Sequence, residues 1–189
     1  MSTTVATSVT KVRIRPATPF DSDAVFSLVE QLADSYDVDR EAFDEAFRNA
    51  VGQGDDHLLL VAEGPAVNDL AGIDAAGIDA AADGAADGAA TALASTTGTG
   101  GPLFGYVLMT IARLMYTRGD TAQIQELIVD SGARNDGIGS RLVYAVEDIC
   151  RERGISQLTV ASSRAAAFYD RLDYRSTADF LKKKFAIED

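Results

Sequence analysis

Apolar residues recur along the chain with two spacings, every second residue and every third or fourth residue. The first spacing is typical of half-buried strands and the second of helices that bury one face. The sequence thus predicts a strand ending at Pro16 and a helix capped by Asp21 or Ser22. Further helices are predicted over 41–50, 140–153 and 164–172, and further strands over 57–62, 103–114, 122–129, 155–161 and 180–186. This order favours an α/β fold with a mixed sheet flanked by helices.

The length and local composition predict one domain with an insertion. A chain of 189 residues suits a single domain over 11–189, and the Ser/Thr-rich residues 1–10 are expected to be a disordered tail. Residues 64–102 consist mainly of small residues, with five Asp and no basic residue. Because such a segment has little bulky apolar surface to bury, we expect a low-complexity, flexible insertion at 64–102.

The charge of the chain argues against some partners. The net charge is −12, 21 of the 29 acidic residues are Asp, and only 4 of the 17 basic residues are Lys. A nucleic acid would need a basic face, so no nucleic-acid partner is predicted. Two readings of the acidic surface remain open, a halophilic protein whose self-repulsion is screened by salt and an ordinary acidic protein.

Cysteine content and hydropathy favour the cytoplasm. The single cysteine, Cys150, cannot form an internal disulfide, and no apolar segment is long enough to span a membrane. The N-terminal residues do not have the layout of a signal peptide. With one His and one Cys, no metal site is predicted.

The loop after the predicted strand 122–129 carries the strongest candidate chemistry. It reads Arg134-Asn135-Asp136-Gly137-Ile138-Gly139 and precedes a predicted helix. Glycines let the main chain approach a ligand closely, and free N–H groups at a helix N-terminus bind anions, so the loop predicts a phosphate site. It lacks the Gly-Lys-Ser/Thr ending of a Walker loop and the third glycine of the dinucleotide fingerprint.

This Arg-x-x-Gly-x-Gly pattern resembles the cofactor motif of the GNAT superfamily of N-acetyltransferases. The preceding Glu-Leu-Ile-Val-Asp strand and the later Ala-Phe-Tyr-Asp-Arg-Leu-Asp-Tyr segment are similar to that family too. The resemblance spans Val12 to Phe185 apart from the insertion. It implies a single-domain acyl-CoA N-acyltransferase fold with a mixed, mostly antiparallel sheet, acetyl-CoA as cosubstrate and an amine as acceptor.

The resemblance also implies roles for individual residues. Main-chain groups of Leu127, Ile128 and Val129 would pair with the pantetheine arm of the cofactor. Tyr169 matches the family tyrosine that protonates the departing thiolate. The pyrophosphate would be held by the backbone amides of Arg134, Asn135, Asp136, Gly137, Ile138, Gly139 and Ser140.

Two positions depart from the family pattern. Asp136 stands where the family often has a basic or neutral residue, so its carboxylate is expected to point away from the phosphates. Asp173 stands where the family usually has Gly in a tight turn, and Asp tolerates the left-handed conformation better than most residues.

The amine acceptor needs a base, because a free alkylammonium has a pKa of roughly 10.4. Glu126 is the candidate base, on the opposite face of its strand from Leu127, while Gln125 on the other face would orient a water. The alternative interpretations are that Glu126 is a surface or ion-paired residue and that Tyr169 only fills the core. In the implied fold an acidic cluster would border the acceptor entrance, formed by Asp34, Asp37, Asp39 and Glu41.

Three other features are interpreted as structural. His57 is expected to be a strand-end residue and Cys150 a buried thiol on the apolar stripe of its helix. Lys182, Lys183 and Lys184 are expected on a strand, at solvated or edge positions.

The sequence thus predicts an N-acetyltransferase that transfers an acetyl group to a small-molecule or peptide amine by direct attack in a ternary complex. A non-catalytic acyl-CoA sensor and a nucleotide-binding protein are the alternatives. The acceptor and the possibility of a homodimer remain open.

Overall fold

The computed structural model describes residues 12–33, 37–52, 54, 56–66, 100–162, 164–183 and 185. The predicted tail 1–10 and most of the predicted insertion, residues 67–99, lie outside these ranges. Nine helices and strands are described, along with 3₁₀ turns at Pro19–Asp21 and Ser131–Ala133. In chain order they are β1 (Arg13–Pro16), α1 (Ser22–Leu32), α2 (Arg40–Gly52), β2 (His57–Glu63), β3 (Leu103–Arg113), β4 (Asp120–Val129), α3 (Ile138–Glu152), β5 (Gln157–Val160) and α4 (Ala166–Asp170).

The five strands form one sheet in the order β1-β2-β3-β4-β5. The first four strands are antiparallel to their neighbours, whereas β5 runs parallel to β4. The parallel pair needs a crossover, and α3 supplies it. The predicted mixed, mostly antiparallel sheet flanked by helices is therefore confirmed.

The sheet has a hydrophobic core on each face. On one face the apolar stripe of α3, including Leu142, Val143 and Val146, packs on Val107 and Ile124 of the sheet. On the other face α1 and α2 pack on a second set of strand residues; this cluster contains Val25, Leu28, Phe47, Leu59, Val61, Tyr106 and Ile128. Because the side chains of a strand alternate between faces, β3 and β4 contribute to both cores.

The predicted last strand is wrong. Residues 180–183 and 185 are described and form no strand, and the side chains of Phe180, Leu181 and Phe185 are largely exposed. A segment with strand periodicity forms a strand only where a sheet edge and an apolar surface are available to pair with it. Lys182 and Lys183 also interrupt the apolar residues here. The predicted helix over 164–172 is also shorter, since α4 has only five residues.

The first turn of the chain is held by Arg15 rather than by a helix cap. Arg15 donates two hydrogen bonds of 2.8 Å to Asp21, and two more, of 2.9 and 3.0 Å, to Glu63. Asp21 precedes α1 as predicted, but its side chain makes no capping bond to that helix. It accepts instead from the main-chain N–H and the hydroxyl of Thr18. Through Arg15, the buried carboxylate of Asp21 therefore links the start of α1 to β1 and β2.

One main-chain hydrogen bond closes the base of the β2–β3 connection. The N–H of Gly64 donates to the carbonyl of Pro102 at 2.8 Å. Beyond this bond the described chain reaches residue 66 on one side and residue 100 on the other. The two strands are thus joined at the point where the predicted insertion begins and ends.

Candidate active site

An extra residue in β4 changes which way its side chains point. Leu108 of β3 pairs with Glu126, whereas the next residue, Met109, pairs with Ile124, so Gln125 is left without a partner. Such a β-bulge bends the strand and re-aims the neighbouring side chains. Gln125 donates to the hydroxyl of Thr110 at 2.7 Å.

The bulge places Gln125 and Glu126 on the same face of the sheet. Thr110 shares a face with Leu108 by strand alternation, and Leu108 packs on the α1–α2 side. The expectation that Gln125 lies on the opposite face from Glu126 is therefore wrong. The expected opposite facing of Glu126 and Leu127 is confirmed, because Leu127 packs in the core under α3.

Beyond the bulge, one edge of β4 has no neighbouring strand among the described residues. The pairing with β5 extends only from Thr121 to Ile124. The N–H of Asp130 donates to the carbonyl of Phe104 on β3 at 2.9 Å. Main-chain groups alternate along a strand, so those of Ile128 also face β3.

It follows that the main-chain groups of Leu127 and Val129 point toward the open edge. The carbonyl of Val129 accepts a 3.2 Å hydrogen bond there from Arg134 Nε. A ligand with amide groups could add to this edge like a further strand. Of the three residues expected to pair with a pantetheine arm, Leu127 and Val129 have the required direction, whereas Ile128 faces its neighbour in the sheet.

Glu126 is held by a buried tyrosine. The hydroxyl of Tyr106, a residue 1% exposed, donates to Glu126 Oε2 at 2.7 Å. This bond fixes the carboxylate and leaves Oε1 available to another donor. The sequence analysis missed Tyr106, although a tyrosine inside an apolar strand is a signal for a buried hydrogen-bond partner.

Glu126 also lines a cavity between the sheet and helices α1 and α2. The cavity has a volume of about 310 Å³, at the small end of the range for ligand pockets. Its walls are mainly apolar, and Asp37 and Asp39 lie on its lining with Glu126. Two members of the predicted acidic entrance thus reach the cavity; Glu41 is exposed on α2, and Asp34 lies outside the described residues. Aliphatic and aromatic wall residues are Val25, Val29, Phe43, Phe47, Leu59 and Leu108.

The glycine-rich loop turns sharply into α3. Gly137 precedes the helix with a φ of 78°, and Asn135 has a φ of 72°. Left-handed backbone of this kind is disfavoured for residues with a Cβ, which explains glycine at position 137. Asp136 is exposed, as its predicted outward orientation requires. The helix begins at Ile138, two residues before the predicted start, so Gly139 and Ser140 lie in its first turn.

Side-chain bonds from α1 fix the start of the loop. Gln31 Nε2 donates to Asp130 Oδ2 at 2.9 Å, and Gln31 Oε1 accepts from the N–H of Ser131 at 3.1 Å. The other oxygen of Asp130 accepts from the N–H of Gly132 at 2.9 Å. The loop is therefore tied to the helix that borders the cavity on the opposite face of the sheet.

Tyr169 lies on α4 and packs in the core under α3. It is 8% exposed, and its ring makes edge contacts with Phe168 and Tyr174. Burial raises the pKa of Tyr169. Phe168 in turn reaches Gly139, where an added Cβ would lie 3.4 Å from its ring, so α4 packs directly on the first turn of α3.

The turn after α4 confirms the expectation for Asp173, which has a φ of 65°. The N–H of Tyr174 donates to the carbonyl of Tyr169 at 3.1 Å, the bond that closes a Schellman motif. The left-handed residue at this position therefore holds Tyr174 against Tyr169.

Cys150 and His57 lie where the sequence predicts them. Cys150 is buried in the core under α3, 3.7 Å from the sulfur of Met109, and burial raises its thiol pKa. His57 is the exposed first residue of β2. Within the described ranges, no group of three His, Cys, Asp or Glu side chains is placed to hold a metal ion. Nor does any described helix have the length and apolar character needed to cross a membrane.

Comparisons with known proteins agree with this architecture. The model of the acetyltransferase (GNAT) family matches residues 74–174. Glucosamine 6-phosphate N-acetyltransferase 1 of Oryza sativa subsp. japonica is 26% identical over 164 residues, covering 86% of this chain and 80% of the relative. The family match spans the strand, loop and helix on which the site is built, and it includes Tyr169.

Solved structures give the same fold. Glucosamine-6-phosphate N-acetyltransferase from Arabidopsis thaliana superposes with a TM-score of 0.66 at 20% identity, covering 93% of this chain and 99% of that one. An aminoglycoside acetyltransferase from an uncultured soil metagenomic sample, solved in complex with sisomicin, gives 0.61 at 14% identity and covers 94% and 97%. The family match and the curated relative, in agreement with this fold, identify an acyltransferase of the acetyl-CoA-dependent class. The chain belongs to the GNAT acetyltransferase family.

Proposed function

We propose that this enzyme acetylates an amine by direct attack on acetyl-CoA in a ternary complex. The observation that carries the proposal is the position of β4. Glu126 on this strand lines the cavity under α1 and α2, while the main chain of Leu127 and Val129 faces the open sheet edge. An acceptor in the cavity and a cofactor along the edge would meet at one strand.

The cofactor would extend from the open edge to the glycine-rich loop. Leu127 and Val129 offer main-chain donors and acceptors to the pantetheine arm. The free N–H groups from Arg134 to Ser140 and the dipole of the 15-residue helix α3 favour a pyrophosphate at the loop. Exposure of Asp136 is consistent with a carboxylate turned away from that anion.

Glu126 would act as the general base. The acceptor enters as an ammonium ion, and the free Oε1 of Glu126 takes one proton so that the neutral amine attacks the thioester carbonyl carbon. A C–N bond forms, and the C–S bond then breaks. The nitrogen then loses its second proton, which balances the proton that the departing sulfur takes up, so the products are the amide and CoA thiol, and Glu126 returns its proton to solvent.

Tyr169 would donate a proton or hydrogen bond to the departing thiolate. Because burial raises its pKa, the phenol stays protonated through neutral pH. A protonated donor beside a leaving group of roughly pKa 8.5 makes departure easier. Tyr169 and Glu126 would therefore act from opposite faces of the sheet, at the open edge of β4.

The test is thiol release from acetyl-CoA with a panel of amines, together with calorimetric CoA binding. Glu126→Gln and Tyr169→Phe should each lower kcat by roughly 10²–10³-fold and leave CoA affinity within about twofold. Glu45→Gln is the matched control, because it makes the same exchange on the exposed face of α2, away from the cavity. If CoA binds but no amine releases thiol from the unaltered protein, the acyl-CoA sensor reading replaces this proposal.

A further inference from the structure

The cavity beside Glu126 is acidic and apolar at once. Among the described residues that line it, three are acidic and none is basic. The acids are Asp37, Asp39 and Glu126, and the rest of the lining is aliphatic or aromatic apart from backbone. Such a surface favours a cation with an apolar body and disfavours an anion.

The nearby basic residues are already engaged or face elsewhere. Arg40 donates to Asp23 at 2.6 Å and to Asp44 at 3.1 Å, and its guanidinium stacks 4.7 Å from the ring centre of Phe26. Arg48 is exposed on α2 and donates to the carbonyl of Asp44. Neither α1 nor β4 contains a basic residue.

The segments outside the described ranges contain few basic residues. Residues 34–36 and 67–99 contain no Lys, Arg or His, and the basic residues of the other such segments are Lys11 and Lys184. A phosphate on the acceptor would therefore find no compensating basic side chain from residues 34–36 or 67–99.

We infer that the acceptor is an amine carried on an apolar aryl or alkyl body, without a phosphate or carboxylate. This inference rests on the proposed function, because it assigns the amine to Glu126. The ammonium lies at the carboxylates, and the apolar body packs between Phe43 and Phe47 on one side and Leu108 on the other. The acceptor thus differs in chemistry from the phosphosugar named for the rice and Arabidopsis relatives.

The charge pattern explains the preference. A carboxylate or phosphate added to the acceptor would be repelled by the three carboxylates of the lining. Asp37 and Asp39 are exposed, so water weakens this repulsion without reversing it. An aryl or alkyl group instead buries apolar surface against the apolar wall.

The experiment uses chemically matched acceptors and thiol release from acetyl-CoA. The kcat/KM for 2-phenylethylamine should exceed that for phenylalanine and for glucosamine 6-phosphate by at least about tenfold each. Equal or better use of either of these two would overturn the inference while leaving the acetyltransferase proposal standing. If no amine in the panel releases thiol, the proposed function is overturned, and the inference with it.

A second pair of variants locates the apolar body. Ala46 lines the cavity, so Ala46→Phe should raise the KM for 2-phenylethylamine at least about tenfold with CoA binding unchanged. Asn49→Phe places the same side chain on the exposed face of α2 and should leave that KM unchanged. Equal effects of the two variants, or an unchanged KM in Ala46→Phe, would place the acceptor elsewhere.

Discussion

The hydroxyl of Tyr106 on β3 donates a 2.7 Å hydrogen bond to the carboxylate of Glu126 on β4. This bond joins a residue of the core to the candidate base. The carboxylate of Glu126 is therefore oriented by β3, the strand that lies farther from the open edge.

Tyr106→Phe should lower kcat/KM by about tenfold, because Glu126 loses the group that orients it. The free energy of unfolding should fall by roughly 1.5–3 kcal/mol, the range for hydrogen bonds to charged groups. Thiol release and thermal unfolding measure the two effects. Thr110→Val is the control, since it removes a β3 hydroxyl that binds Gln125 instead. A stability loss with no rate loss would mean that Glu126 is only structural.

The two ends of α3 offer a matched test of the loop. Gly137→Val should destabilise the fold by about 1–2 kcal/mol, because position 137 has left-handed backbone. It should also weaken CoA binding by displacing the N–H groups of the loop. Gly154, at the far end of the helix, has a φ of 66° and open space around it. Gly154→Val should cost similar stability and leave CoA affinity unchanged in calorimetry; equal affinity losses would contradict the assignment.

Asp173→Gly should stabilise the protein by roughly 0.5–1 kcal/mol, because glycine adopts the left-handed conformation of this turn without strain. Asp173→Ala should instead destabilise it. Thermal unfolding of the three proteins gives the order Gly, Asp, Ala from most to least stable. If alanine is as stable as aspartate, the turn has another conformation in solution.

Arg15→Met should lower the free energy of unfolding by about 3 kcal/mol, because it leaves two largely buried carboxylates without their cation. Arg151→Met removes an arginine whose guanidinium pairs at the surface of α3, and it should destabilise the protein far less than Arg15→Met does. Urea unfolding at neutral pH compares them.

The Arg15 effect should also depend on pH. Burial raises the pKa of Asp21, but the bonds from Arg15 and Thr18 outweigh it, so the folded pKa lies below the ordinary value. The bonds from Arg15 likewise lower the pKa of Glu63. Stability from such groups is present above the unfolded values, near roughly pH 4, and is lost as the pH falls through the folded values. The gap between Arg15→Met and the unaltered protein should therefore narrow in acid, and a constant gap would exclude the linkage.

Local pattern was sufficient for the strand, loop and helix from 120 to 152. Periodicity marks both elements there, and the left-handed turn needs glycine at 137, so each feature is encoded within a few residues. The conformation of Asp173 was predicted on other grounds, because the family resemblance places this residue where a glycine usually forms a tight turn.

Features that depend on distant partners were missed. The bulge at Gln125 exists only in the pairing of β4 with Leu108 and Met109 of β3, and no residue type in β4 predicts it. The Arg15 cluster joins residues 48 positions apart in sequence. The predicted strand at 180–186 failed for the opposite reason, since its local pattern meets no sheet edge in the described structure.

The bond between Gly64 and Pro102 joins the two ends of the β2–β3 connection, so the length of this connection should have little effect on how β2 pairs with β3. Once the ends of a loop are joined, doubling its length costs only about 0.6 kcal/mol of closure entropy. A peptide tag inserted into this connection should therefore alter the melting temperature little, so the base of the connection is a position for grafting that leaves the strand, loop and helix from 120 to 152 unchanged.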